Sequence, residues 1–346
     1  MKYKQKKTKG LFDEEFRMQQ LTKNNDPLIK LNEKIDWEIF RPLLEANLVK
    51  EDKGKGGCTP YDYLMMFKIL ILQRYNNISD DKMEYAILDR LSFMRFLGLT
   101  ISDRVPDAKT IWRFREQLRQ KGVVEQLFDK FKEILQQSGL IANEGKIIDA
   151  TFVEVPIQRN SREENKEVKS GNIPDSWKDN AHKLSRKDTD ARWTMKNGER
   201  FYGYKNHVKA DSKSKIIDGY TVTDASVHDS QAIDKLLEES DKGQTLHADS
   251  AYAGGNVEKV VLGKQMDNQI HEKGYRNKPL TQKQKELNNK KSKTRARIEH
   301  IFGFMENSMG GCFIRTVGKP RAVVMIGLMN LTYNIFRAIQ IGFSGA

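Results

Sequence analysis

Apolar residues recur at helical spacing through the first part of the chain, up to about residue 140. The pattern predicts four main helices there. They cover Tyr61–Tyr75, Asp81–Leu91, Ala108–Arg119 and Val123–Gln137. The first of these is so apolar that it must lie inside a core. We therefore predict an all-helical domain over residues 30–140, preceded by a basic tail and linker over residues 1–29.

After residue 140 the pattern changes to short segments rich in β-branched residues, bounded by Gly and Pro. These segments predict five strands, at Lys146–Val155, Phe201–Ala210, Lys215–Val222, Gln244–Asp249 and around Gln269–Ile270. Helices are predicted at Asp229–Leu237, Asn256–Leu262, Thr294–Met309 and Arg321–Ile339. Three strands followed by alternating helices and strands indicate a mixed α+β domain over residues 141–346, one arrangement among several by periodicity alone.

Residues 157–200 form a polar insertion between the first two predicted strands. They are rich in Lys, Glu, Asn and Ser and have little apolar periodicity. A segment of this composition lacks the apolar residues needed for a core of its own. We therefore expect the insertion to be poorly packed in the free protein.

The chain has a formal net charge of +13, and much of this excess lies in its last quarter. Between His271 and Arg321 there are 13 Lys and Arg against 4 Glu and no Asp. Such an excess points to a polyanionic partner, either nucleic acid or an acidic membrane surface. The apolar stretch Ala322–Ile339 is barely long enough to span a bilayer and is interrupted by polar residues. We predict that it is a buried packing helix and that the protein has no membrane association.

Only two cysteines occur, Cys58 and Cys312, too few for a disulfide framework or a zinc site built from cysteines. The basic run Met1–Gly10 has no apolar segment behind it, so it is a tail and not a signal peptide. Both observations fit a reduced, cytoplasmic compartment.

Two aspartates are candidates for chemistry. Asp149 lies mid-strand between Ile148 and Ala150, where an unpaired charge costs several kcal/mol and a metal ion could compensate it. Asp249 ends a second strand before a glycine-rich loop, a position where ligand sites collect in α/β sheets. The alternatives are ordinary: a solvated Asp at a strand edge, and a turn-initiating Asp.

A third carboxylate, Glu299, borders the apolar stripe of the helix Thr294–Met309, four residues after Arg295. Carboxylates from separate elements that converge on hard cations are what two-metal phosphoryl transfer requires. Glu299 could equally form a surface pair with Arg295. Glu306, two turns further along the same face, is the rival third acid.

Several segments resemble successive motifs of bacterial insertion-sequence transposases of the insertion-sequence-five family. They are IIDATFVEVP, DARWTMKNGERFYGYKNHVKAD, TVTDASVHDS, LHADSAYAG and RARIEHIFG, and ISDRVPDAKTIWRFREQL resembles the N-terminal domain of that family. The resemblance covers about residues 30–340. It implies a ribonuclease H-like catalytic domain with a mixed five-stranded sheet flanked by helices. It also places the three catalytic and metal-binding acids on Asp149, Asp249 and Glu299.

The resemblance further implies a DDE transposase that cleaves DNA at terminal inverted repeats and transfers strands to target DNA, with two Mg²⁺ or Mn²⁺ ions per active site. Synapsis of two ends implies a homodimer or larger assembly, in a bacterial cytoplasm and associated with the nucleoid. A nuclease of the same fold without strand transfer and a catalytically inactive DNA-binding regulator are the alternatives. DNA would then order the insertion at 157–200.

One motif departs from the resemblance. In the tyrosine–arginine–glutamate–lysine signature of insertion-sequence transposases, the Arg and Glu positions fall on Arg295 and Glu299. The Tyr position is Ser292 and the Lys position is Glu306. The phosphate contact of the missing Lys is therefore expected to come from Lys293 or Arg297, or to be absent.

Basic and aromatic residues supply the remaining candidates for DNA contact. The basic stretch that leads into the predicted helix Thr294–Met309 contributes Lys290, Lys291, Lys293, Arg295 and Arg297. Lys109 and Arg113 lie on a helix that could serve as a recognition helix or be an ordinary basic amphipathic one. Trp193 is the candidate for stacking on a base. In Val227-His228-Asp229-Ser230, a helix N-cap role for Asp229 is favoured over a catalytic one.

Overall fold

The computed structural model describes residues 10, 12–49 and 59–345. The N-terminal part contains eight α-helices within these bounds: α1 Asp13–Lys23, α2 Pro27–Lys34, α3 Arg41–Leu48, α4 Tyr63–Asn76, α5 Asp80–Asp89, α6 Leu91–Leu97, α7 Ala108–Lys121 and α8 Val123–Gln137. A 3₁₀ turn at Trp37–Phe40 precedes α3. The four predicted helices are all present. Helices α1 and α2 begin inside the region predicted as tail and linker; residues 1–9 and Cys58 lie outside the described part.

The second part begins with a strand and mixes six strands with eight helices. In chain order these are β1 Gly145–Glu154, α9 Arg162–Lys169, α10 Asp175–Lys178, α11 Ala181–Leu184, β2 Arg192–Lys196, β3 Glu199–Asp211, β4 Ile217–Asp224, α12 Ile233–Leu236, β5 Thr245–His247, α13 Gly255–Gly263, β6 Asp267–Asn268, α14 Gln282–Arg295, α15 Arg297–Asn307 and α16 Lys319–Gln340. Short 3₁₀ turns lie at Asp229–Ala232, Glu239–Asp241 and Ser250–Tyr252.

Five of the strands form the ribonuclease H-like sheet that the resemblance implies. Strand β3 is antiparallel to both β1 and β4, whereas β5 is parallel to β1 and β6 is parallel to β5. The resulting order is β4-β3-β1-β5-β6, with β1 in the centre. The predicted fold is thus confirmed. A sixth strand, β2, was not predicted; it pairs with the first residues of β3.

Strand β2 belongs to a hairpin whose turn is Asn197-Gly198, both with positive φ (52° and 84°). Two successive residues with positive φ are what a tight type I′ hairpin requires, and Asn-Gly is its preferred pair. The signal was therefore present in the sequence. It was missed because the surrounding segment is polar.

The expectation that residues 157–200 are poorly packed is wrong for this structure. Trp177 is fully buried, and its indole nitrogen donates to Glu164 Oε1 at 2.6 Å. Helix α9 begins with a capping box formed by Ser161 and Glu164. Asp188 is also buried and accepts a hydrogen bond from the hydroxyl of Tyr204 on β3. The buried indole of Trp177 thus packs within the insertion, and the buried carboxylate of Asp188 holds the insertion to the sheet.

Helix α16 joins the two parts of the chain. It packs against α4 and α8 on one side and against β4 and α15 on the other, within one continuous apolar core. Its polar residues are satisfied inside this core: Asn330 bonds Asn206, and Asn334 bonds the backbone of Ile217. In the described part of the chain it is the one helix long and apolar enough to cross a membrane, and 72% of its most apolar stretch is buried. The prediction of a buried packing helix is confirmed.

The basic stretch before the last two helices was predicted as a loop and is instead helix α14. Its first turn is fixed by a capping box between Thr281 and Gln284. No residue of α14 is buried, so it has no apolar stripe for periodicity to detect. Helix α15 follows after Ala296 and begins at Arg297, three residues later than predicted.

Candidate active site

Asp149 lies in the middle of the central strand β1, opposite Val208 of β3. Its neighbours Ile147 and Ile148 are buried in different apolar clusters on the two faces of the sheet, as strand alternation predicts. The carboxylate accepts a hydrogen bond from its neighbouring amide, Ala150 N, at 2.8 Å. The pKa of Asp149 is raised to about 6, chiefly by burial and also by the charge of Asp249, although the hydrogen bond from Ala150 N and the charge of Arg295 lower it.

Asp249 follows β5, the parallel neighbour of β1, by two residues. Its side chain caps the short turn Ser250–Tyr252 by accepting a hydrogen bond from Ala251 N at 2.8 Å. The carboxylate is close enough to raise the pKa of Asp149 by repulsion. The structure therefore brings the two predicted aspartates together at the carboxyl end of β5.

Glu299 reaches this place from the first turn of α15, and Arg295 connects it to Asp149. One guanidinium nitrogen of Arg295 lies 2.8 Å from Glu299 Oε1, and the other lies 3.3 Å from Asp149 Oδ2. The side chain of Glu299 is 61% exposed and that of Asp149 only 16%. Glu299 thus lies at the solvent edge of the site, and Asp149 lies at its floor.

Glu306, the rival third acid, lies in a different environment. Its carboxylate is next to the segment that follows α15: a Cβ built on Gly311 would be 3.4 Å from Glu306 Oε2. Burial raises the pKa of the Cys312 thiol, and the adjacent Glu306 raises it further. These contacts associate Glu306 with the end of α15, whereas Glu299 is the acid connected to Asp149.

Tyr252 is a residue of the site that the sequence analysis did not select. Its ring is fully buried, and its hydroxyl has no hydrogen-bond partner among the described residues. Burial raises the pKa of this phenol well above its usual value, with further contributions from the charges of Asp149, Asp229 and Asp249. The phenol thus lies beside the aspartates. Its position three residues after Asp249 is the only signal that could have identified it.

Asp229 is not the helix cap that the sequence favoured. The side chain of His228 caps the turn instead, by accepting from Ser230 N. Asp229 forms an ion pair with Lys205 of β3 at 2.8 Å, and the Lys205 amine also donates to Val227 O. Asp229 is therefore a fourth carboxylate near the site, and it is neutralised by its own lysine.

The acids fit a divalent cation chemically. Asp149 and Asp249 offer carboxylate oxygens, the ligands that Mg²⁺ and Mn²⁺ prefer, and the charge of Asp249 destabilises the ionised form of Asp149. A bound cation would remove this penalty, and the positive charge now comes from Arg295. In the described residues no three His, Cys, Asp or Glu side chains meet closely enough to hold one ion together. The structure thus brings two of the three acids together directly, and the third through an arginine.

The predicted DNA-contacting residues of the basic stretch fall into two groups. Lys290 and Lys293 are exposed on α14. The other three are held by the protein itself: Lys291 donates to Ile270 O at 2.9 Å, Arg297 donates to Ser212 O at 2.8 Å, and Arg295 lies between two acids. The sequence could not separate these groups, because the separation depends on how α14 packs on the sheet.

In the helical part, Lys109 and Arg113 are exposed on α7, beside Trp112, which is 42% exposed. Arg115 of the same helix pairs with Asp80, which leaves it a structural role. Trp193 lies on the hairpin strand β2, 43% exposed, with its ring 5.0 Å from that of Tyr202. All three candidate residues of these two elements are thus accessible to a partner.

Comparison with known proteins gives two family matches along the chain. The family model described as "Transposase DDE domain" matches residues 142–335, and the one described as "Transposase domain (DUF772)" matches residues 16–117. A solved structure, the cryo-EM structure of the piggyBac transposase synaptic complex with hairpin DNA, is similar to this chain with a TM-score of 0.46 and 14% identity. That similarity covers 91% of this chain and 75% of the other.

Proposed function

The chain belongs to the DDE transposase family, and from this premise we propose that Asp149, Asp249 and Glu299 are its catalytic acids. The chemistry proposed is cleavage of DNA at the terminal inverted repeats of an insertion sequence, followed by transfer of the freed 3′-OH end to target DNA. Membership of the insertion-sequence-five group is part of the same proposal. Neither a nuclease without strand transfer nor an inactive regulator has an observation in its favour.

One observation carries the assignment of the acids. A buried carboxylate on the central strand is repelled by a second carboxylate, which lies just after the adjacent parallel strand, and a third approaches from a helix. All three lie within the matched DDE domain. A buried acid that is destabilised by its neighbour is costly to the fold, so its retention is best explained by a cation in the working enzyme.

The family implies dependence on divalent metal, and we propose Mg²⁺ or Mn²⁺, two ions held by Asp149, Asp249 and Glu299. Such ions activate an attacking oxygen and stabilise a leaving one. The chain's own residues hold and orient these acids. Asp149 is fixed by the sheet and by Ala150 N, and Asp249 by its cap on Ala251 N. Arg295 can exchange a carboxylate for a phosphate, since guanidinium binds both in the same bidentate geometry.

Double-stranded DNA is the proposed partner, as both the inverted repeats and the target. The exposed cations of α14 and α7, together with Trp193, are proposed contacts. The helical part is proposed to bind DNA and to mediate a dimer or larger assembly when two ends are brought together. A cytoplasmic, nucleoid-associated location follows from this partner.

The test uses full-length protein, Mg²⁺ and a duplex carrying the end of the element. Asp149→Asn, Asp249→Asn and Glu299→Gln should each lose cleavage while retaining DNA affinity, because the acids serve the transition state. Glu306→Gln is the matched control and should cleave normally. A pre-cut 3′-OH end should be joined to target DNA by the wild type. Cleavage by Glu299→Gln together with its loss in Glu306→Gln would reassign the third acid.

A further inference from the structure

A groove of about 640 Å³ opens beside Glu299, between α15 and α16. Glu299 and Gly303 line it from α15, and Tyr333 and Arg337 line it from α16. Lys215, at the turn between β3 and β4, lies at its edge. None of these residues except Glu299 has a role in the chemistry proposed above.

Two cations, Lys215 and Arg337, line the groove, and a third, Arg297, lies close enough to affect the pKa of Lys215. Arg297 donates to Ser212 O and Arg337 donates to Ser214 O, each at 2.8 Å, so both are held by backbone carbonyls of the β3–β4 turn. Burial lowers the pKa of Lys215, and the nearby charges of Arg337 and Arg297 lower it further. Within the described ranges none of the three forms an ion pair. Fixed positive charges that repel one another are arranged to receive an anion.

The dimensions of the groove suit a chain of phosphates. Its wall on α15 runs from Glu299 to Asn307, which is about 12 Å at a helical rise of ~1.5 Å per residue. A DNA strand carries one phosphate per ~3.4 Å of helix axis, so the wall covers roughly three nucleotide steps measured along the duplex axis. A strand that passes Glu299 can therefore continue in the groove over Lys215 and Arg337.

Gly303 keeps the groove open. It lies in the middle of α15, where glycine disfavours the helix, and a Cβ built on it would meet nothing within 4 Å. Neither packing against a neighbour nor a special backbone conformation requires a glycine at this position. An open surface along the helix is what the missing side chain provides.

We propose that this groove binds the sugar–phosphate backbone of the DNA strand next to the scissile phosphate, with Lys215 and Arg337 as its phosphate contacts. The inference rests on the proposed function and adds a substrate-binding surface to it. The competing occupant is an acidic segment of a second copy of the chain, which the same cations could bind.

The experiment measures binding of the full-length protein to a fluorescein-labelled duplex of random sequence, by anisotropy, over a series of KCl concentrations without divalent metal. Lys215→Gln should weaken binding and flatten the slope of log affinity against log salt by about 0.9, the value for one lost phosphate contact. Lys213→Gln is the matched control on the same turn. Its lysine pairs with Glu144 at 2.9 Å and lies outside the groove, so its slope should equal that of the wild type.

Gly303→Leu tests the groove without changing charge. Because its Cβ has open space, the variant should unfold at the same temperature as the wild type or higher, yet bind the duplex more weakly. Equal slopes for Lys215→Gln, Lys213→Gln and wild type would overturn the proposal. A change in sedimentation of Lys215→Gln with an unchanged slope would overturn it in favour of the second copy. If the wild type still cleaves element ends in either case, only the groove assignment fails and the proposed function stands.

Discussion

Arg295 lies 3.3 Å from Asp149 through one guanidinium nitrogen, and its other terminal nitrogen holds Glu299 at 2.8 Å. The arginine is half-buried, and its Nε has no partner in the described structure. It therefore occupies the position between two acids where a cation is proposed. This makes Arg295 a competitor of that cation in the DNA-free protein.

Arg295→Gln should therefore raise the affinity of the DNA-free protein for Mn²⁺, on the order of tenfold or ~1.4 kcal/mol, because no fixed cation has to be displaced. Isothermal titration calorimetry measures this directly. Arg297→Gln is the control. It makes the same charge change two residues further along the chain, at the start of α15, but the side chain of Arg297 bonds only Ser212 O. Weaker Mn²⁺ binding by Arg295→Gln alone would mean that the arginine positions the acids and does not compete.

The pKa of Asp149, raised by burial to about 6, predicts a pH dependence of stability in the metal-free protein. An unfolded Asp has a pKa near 3.9, so the folded protein holds this proton more tightly. The contribution of Asp149 to the free energy of unfolding is fully present below about pH 4. It is lost as pH rises through about 6, by roughly 3 kcal/mol in total. Asp149→Asn removes the group and should be free of this loss.

Urea unfolding of wild type and Asp149→Asn, with a chelator present, checks this between about pH 4 and pH 7. The free energies of unfolding of the two proteins should separate as pH rises, with the variant becoming the more stable. Parallel curves would mean that Arg295 already neutralises Asp149 fully. Addition of Mn²⁺ at the upper pH should stabilise the wild type only.

The positions of Asp149 and Asp249 in the fold could be predicted because their signals are local. Asp149 is recognisable from its apolar strand neighbours, and Asp249 from the glycine-rich loop that follows it. Both signals depend on strand alternation and turn chemistry, which a single sequence displays. The ribonuclease H-like strand order came from the resemblance, and the register that confirms it is a property of the folded sheet.

The errors have a common physical origin, in contacts between residues distant along the chain. Trp177 lies in a polar segment, yet its side chain is buried because the insertion folds back on itself around it. Lys291 resembles Lys290 in sequence, yet only Lys291 reaches a carbonyl of the segment after β6. Asp229 has the sequence position of a cap but forms an ion pair with Lys205 of β3. Local patterns contain no information on such partners.

Asp188 should be a major determinant of how firmly the insertion is held. It accepts hydrogen bonds from the Tyr204 hydroxyl at 2.8 Å and from Gly318 N at the start of α16 at 2.9 Å. Asp188→Ala leaves these buried donors unpaired and should cost about 2–4 kcal/mol of unfolding free energy, measured in urea. It should also make residues 157–200 sensitive to protease, whereas in the wild type they should resist it without DNA.

Asp190→Ala is the control for this prediction. Its carboxylate accepts only from the exposed Lys319 N, so the loss should be about 1 kcal/mol or less and the insertion should stay resistant. Equal protease sensitivity of wild type and Asp188→Ala would show that the contacts of Asp188 do not hold the insertion in solution.

The last prediction concerns the exposed lysines of α14. Lys290 and Lys293 form no ion pair in the described structure and project from a helix without buried residues, immediately before the helix that bears Glu299. If both contact phosphates, Lys290→Gln/Lys293→Gln should flatten the salt dependence of duplex binding by about 1.8 in slope. Lys291→Gln should leave the slope unchanged and instead lower stability by about 1 kcal/mol, since its lysine bonds Ile270 O. An unchanged slope in the double variant would mean that the charge of α14 serves solubility. The DNA path would then lie over Lys109 and Arg113 of α7, and their glutamine variants should show the flattened slope instead.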